Sequence, residues 1–185
     1  MDDIKEIKEF KEVNKENMLR FITLNGNLQP MCTVLVHKDD KYKAIIAPIP
    51  GECFEDAESK QKFLHIMPLF FKTLEEKQDY RIVCFSISTE CWLRKTPKEL
   101  GIPKDWRELP KTEALSISYE TEDSSTVEIY DIIRDGMIAN EDGDLIDCIK
   151  LEKNADLQDN NNGLVEGTLS NIYRNYVKSK TTKDE

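Results

Sequence analysis

The chain has 185 residues, of which 39% are hydrophobic and 34% charged. That supplies enough Val, Ile, Leu and Phe for one packed domain with appendages, and it excludes a wholly disordered chain, a collagen-like repeat and a disulfide-packed miniprotein. The net charge of −10, from 26 basic and 36 acidic residues, argues against a globally basic nucleic-acid binder.

Residues 1–24 read as a charged helix. Ile4, Ile7, Phe10, Val13, Met18, Leu19 and Ile22 recur at helical spacing, and Asn25-Gly26-Asn27 breaks it. No apolar h-region of a signal peptide is present there, and no apolar run reaches the ~18 residues of a membrane helix. Met31 to His37 is apolar on both faces, as an inner strand is, and Lys38-Asp39-Asp40-Lys41 turns it into a hairpin partner, Tyr42 to Ile49. Pro48, Pro50 and Gly51 close that strand.

Asp56 to Gln78 is the strongest helix pattern. Phe63, Leu64, Met67, Phe70, Phe71 and Leu74 share one broad face, and Pro68 removes a backbone donor where a kink is expected. Arg81 to Ser88 is a second two-faced strand. A long connection, Glu90 to Thr112, carries both tryptophans. Glu113 to Glu120 alternates with Leu115, Ile117 and Tyr119 inward, and Val127 to Arg134 pairs back. Asp142-Gly143 is a turn signal, so Met137 to Asn140 and Leu145 to Leu151 are expected to extend the sheet by one more short strand.

Asp156 to Gly163 reads as a flexible linker. A last helix over Leu164–Lys178 has Ile172, Tyr173 and Tyr176 on one side, offering a stripe for self-association. The expected fold is α+β and two-layered: an antiparallel sheet of about five strands under a central helix, with N- and C-terminal helices. The chain divides into an N-terminal helix (1–24), a core domain (25–151), a linker (152–163) and a C-terminal helix with its tail (164–185).

The element order resembles roadblock, longin and profilin-like domains, and that resemblance implies a docking or dimerisation module. Ser88-Thr89-Glu90-Cys91-Trp92, with the block Glu113 to Glu120 and Tyr130 to Gly136, is similar to the "SEAW" stretch of some uncharacterised bacterial and phage-encoded proteins. The similarity spans Gln29 to Gly136; it implies a mobile-element origin and brings no activity with it.

Motifs for common chemistries are missing. None of the seven glycines forms a dinucleotide or P-loop phosphate cradle, and the zinc-hydrolase, deaminase and serine-hydrolase signatures do not occur. With only His37 and His65, and no cysteine pair at ligand spacing, neither metal nor cofactor is expected. The five cysteines are an odd number, and Cys32, Cys84 and Cys148 lie inside apolar runs. They read as reduced thiols of a cytoplasmic protein. The one enzymatic constellation is a thiol nucleophile, Cys91, beside Glu90, with His65 as its base. It would make a small cysteine-dependent hydrolase.

The charge is unevenly spread. Residues 113–167 hold fifteen acids and three bases, Arg134, Lys150 and Lys153, a net −12, whereas the remainder carries +2. Just before that span lies a basic, aromatic loop with Trp92, Arg94, Lys95, Trp106 and Arg107. A loop bearing Trp and Arg on a rigid scaffold suits partner binding. The leading expectation is a non-catalytic protein-binding or assembly module. Besides the hydrolase, the other alternative is an acidic inhibitor or mimic that binds a basic, nucleic-acid-binding protein.

Overall fold

In the computed structural model, which describes residues 3–94, 109–139, 143, 145–159 and 172–181, the chain begins with helix α1 (Asp3–Asn25). Its buried residues, Phe10, Asn14, Met18 and Ile22, are spaced by four. Such a row occupies one narrow strip, so the Lys- and Glu-rich remainder of the helix stays in water. Gly26, at φ +75°, ends α1, and its N–H donates to the Ile22 carbonyl at 2.8 Å. Glycine adopts that left-handed conformation without a Cβ penalty.

Strands β1 (Met31–Lys38) and β2 (Lys41–Pro48) form the expected hairpin. Asp39 and Asp40 make its turn with φ of +50° and +57°, the signature of a type I′ turn. Helix α2 (Ala57–Lys72) is capped by Asp56, whose carboxylate accepts the Ser59 N–H at 2.7 Å. It contains Pro68 and widens into a π-helical turn over Thr73–Lys77, one turn after the proline. Then come β3 (Arg81–Arg94), β4 (Lys111–Glu120), β5 (Ser125–Ala139), β6 (Leu145–Asp159) and helix α3 (Ile172–Thr181). The strands form one antiparallel sheet in the order β2-β1-β3-β4-β5-β6.

The α+β class and the central helix agree with expectation, but the layering differs. Helix α1 packs on one face of the sheet, with Phe10, Met18 and Ile22 against Leu35, Leu115, Ile117 and Tyr119. Helices α2 and α3 cover the other face, where Phe63, Met67, Phe71 and Tyr173 meet Val34, Phe85 and Ile87. The result is three layers rather than two. The physical reason lies in β1 and β3, whose apolar residues alternate onto both faces and so need cover on both.

The sheet also has six strands instead of about five. At Gly136, φ +79°, the β5–β6 register shifts between Arg134 and Met137, and across this bulge β5 continues from Arg134, the expected end of the strand, to Ala139. Strand β6 runs to Asp159, through residues 152–159 of the expected linker; residues 160–163 lie outside the described residues. Strand β3 likewise extends to Arg94, six residues beyond its expected end at Ser88. Helix α3 passes its expected end to Thr181, and residues 164–171 lie outside the described residues.

Candidate functional site

The cysteine constellation is spread over the molecule. Glu90 and Cys91 are neighbours on β3, so strand alternation sends their side chains to opposite faces of the sheet. Glu90 lies on the α1 side and accepts the backbone N–H of Leu28 at 2.8 Å. It thereby fastens the α1–β1 connection, and burial raises its carboxyl above the ordinary range. Cys91 lies on the α2 side, beyond Ile87, which is the last β3 residue in the core under α2. Burial, and then the charge of Glu90, push its thiol upward, the reverse of what activates a nucleophile. His65 is exposed on the outer side of α2, with Nδ1 at 2.7 Å from the Gln61 carbonyl oxygen of its own helix. Among the described residues no hydrogen bond joins the three.

Of the expected partner-binding residues, Trp92 is 62% exposed at the end of β3. The Arg94 guanidinium donates to the Leu109 carbonyl, which ties together the two strand ends that flank the loop. Lys95, Trp106 and Arg107 lie outside the described residues.

Ile172, Tyr173 and Tyr176 do not form the free stripe expected of them. They are buried to 6%, 4% and 9% exposure within their own chain. Tyr173 packs edge-on against Phe71 and donates its hydroxyl to the Ile82 carbonyl at 3.2 Å. Tyr176 donates to Glu75 at 2.7 Å. The apolar side of α3 is therefore occupied by α2 and β3.

The two ends of the sheet differ in chemistry. At one end Asp3 makes paired hydrogen bonds to Arg81 at 2.9 Å, and Glu122, Asp123 and Lys180 lie nearby. At the other, Leu24, Trp92, Met137, Ile138 and Leu145 are all between 47% and 66% exposed. They stand at the end of α1, the end of β3 and the tip of the β5–β6 hairpin. A separate cleft of about 410 Å³ lies on the β1–β2 side of this end, lined by Phe21, Leu28, Met31 and Pro48 together with Asn25, Asn27 and Gln29.

Arg134 organises this apolar end. Its Nε donates to Glu113 at 2.7 Å, one terminal nitrogen to Asp147 at 2.8 Å and the other to the Gly26 carbonyl at 2.7 Å. One guanidinium thus joins β4, β5, β6 and the turn after α1, using the planar fork that makes arginine suited to several acceptors at once. Comparison with family models, curated proteins and solved structures finds no match. The role of this end therefore rests on its own geometry.

In the sequence Arg134 stands only as one of three bases in an acidic span. Its position two residues after the inward-facing Ile132 is the signal that places it on the α1 side of β5.

Proposed function

We propose that the chain is a non-catalytic protein-binding module whose docking surface is the apolar end of the sheet. The observation that carries this reading is the gathering of Trp92, Met137, Ile138, Leu145 and Leu24 at one end, each about half or more exposed. Single exposed apolar residues are ordinary, but here α1, β3, β5 and β6 carry five large ones to the same end of one sheet, and aromatic and aliphatic side chains are what interface cores are made of. Arg134 holds the strands beneath them in one arrangement, so little ordering cost falls on a partner's arrival.

Affinity capture from cells that express the protein tests this. Wild-type chain is compared with Trp92→Ser/Leu145→Ser and, as a control on a second exposed apolar site, with Ile66→Ser/Leu69→Ser on α2. The reading requires a partner retained by the wild type and by the α2 variant but lost with the end variant. A partner retained equally by all three would remove this end as the docking surface.

A further inference from the structure

We infer that β6 is a self-pairing edge through which two copies of the chain join their sheets. Among the described residues β6 pairs with β5 alone, leaving the second edge of a 15-residue strand without a ladder partner. An edge of that length, without proline, is a template for another strand. The opposite edge, β2, ends in Pro48 and is eight residues long.

Charge on the face of β6 turned away from α1 indicates the occupant. Ile149 packs in the core under α1, so Lys150 and Glu152 point to the other face, where no residue of β5 or β6 belongs to the core beneath α2 and α3. Glu152 stands directly across the β5–β6 ladder from Asp131, a like-charge juxtaposition that destabilises a sheet. No cation pairs with Glu152 among the described residues, and Lys150 reaches only the exposed Asp135, at 3.3 Å. Antiparallel pairing of β6 with a second β6 about a two-fold axis at Leu151 answers this. Leu151 then faces its own copy, and each Lys150 lies opposite the other copy's Glu152, giving two crossed ion pairs. The same register places Ile149 opposite Lys153. All of these positions fall before Asn154, where the pairing with β5 slips by one residue. A symmetric interface of this kind closes on itself and yields a dimer.

The oligomeric state of the full chain, followed by light scattering and sedimentation across the micromolar range, decides the matter. The wild type is expected at twice the chain mass, with amide exchange at residues 149–153 slowing as concentration rises. Lys150→Glu and Glu152→Lys should each weaken the dimer by on the order of tenfold, because each replaces two attractive pairs by two repulsive ones. The charge-swapped Lys150→Glu/Glu152→Lys should restore it. Lys43→Glu, which changes net charge equally on the β2 edge, should leave it unaltered. A wild type that stays monomeric overturns the inference, as does a dimer indifferent to Lys150→Glu, weakened equally by Lys43→Glu, or not restored by the swap.

Discussion

The carboxylate of Glu120, wholly buried at the end of β4, accepts the backbone N–H of Tyr173 at 2.8 Å and that of Arg174 at 3.4 Å. A residue of the sheet therefore caps the first turn of α3, 53 positions later in the chain. The first N–H groups of a helix lack partners within it, and the Glu120 carboxyl oxygen supplies the acceptor they need. Glu120 is thus the polar half of the α3 anchorage, and Tyr173 and Tyr176 against Phe71 are the apolar half. Glu120→Ala should cost about 2–3 kcal/mol, since it leaves buried helix donors without an acceptor. Glu120→Gln, which keeps one acceptor oxygen, should cost about half as much. Urea unfolding gives both values, and exchange of the α3 amides should rise far more than exchange in α1.

The β1–β2 turn contains a removable strain. Asp39 and Asp40 both hold positive φ, a conformation in which Asn-Gly is much preferred. Asp39→Asn/Asp40→Gly should stabilise the fold by about 1 kcal/mol, with a melting temperature a few degrees higher. An unchanged or lower melting temperature would mean that the aspartates make up the difference elsewhere.

Asp3 supplies acid sensitivity at the charged end. Hydrogen bonds from Arg81, then from the Tyr42 hydroxyl, hold its carboxyl well below the ordinary carboxylate range. A group whose folded value is depressed stabilises the fold fully above its unfolded value, near pH 4, and that contribution fades as pH falls toward the folded value. The pair is partly solvated, with side chains 53% and 39% exposed, so the contribution should stay below about 1 kcal/mol. Asp3→Asn should lower stability at neutral pH by that amount and flatten the stability profile below about pH 4. Equal slopes for variant and wild type in acid would refute this role.

Which of these features the sequence disclosed follows from the range of the contacts involved. Hairpin, central helix and strand alternation depend on local period, so Val34, Phe85, Phe71 and Ile117 could be assigned inward facing from their neighbours alone. The second helical layer was hidden because α1 buries a sparse row that includes a polar residue, Asn14, whose amide donates to Ser86 across 72 positions. Glu120 and Arg134 look like solvent-facing charges in alternating strands; only the chain returning from far away makes one a helix cap and the other a clamp. The stripe on α3 looked free for the same reason, since its cover comes from residues about a hundred positions earlier.

Cys91 tests whether the thiol has any special reactivity. Burial raises it, and two other cysteines are raised further by the same cause, Cys32 to about 11 and Cys84 to about 12. Because the thiolate is the reactive species, alkylation of native Cys91 by iodoacetamide at pH 7 should be slower than that of an unstructured cysteine peptide. Cys32 and Cys84 should be slower again, being buried to 5% and 0% exposure. Faster labelling of Cys91 than of the peptide would return the nucleophile reading to contention.

Arg134→Met gives the sharpest view of the apolar end. The substitution retains most of the side chain's length and apolar contact but removes the donors to Glu113, Asp147 and Gly26, leaving two carboxylates facing each other. The Arg134 side chain is 29% exposed, so solvent screens part of the loss, and about 1–2 kcal/mol of stability should disappear. The local effect should exceed the global one. Amide exchange should quicken at residues 26–28 and along the outer half of the β5–β6 hairpin, while α2 and β1 keep their protection. Arg134→Lys retains the charge without the fork and should recover less than half of the loss, because one ammonium cannot reach three acceptors on separate elements. Uniform acceleration of exchange across all six strands would show instead that Arg134 supports the whole sheet rather than this end.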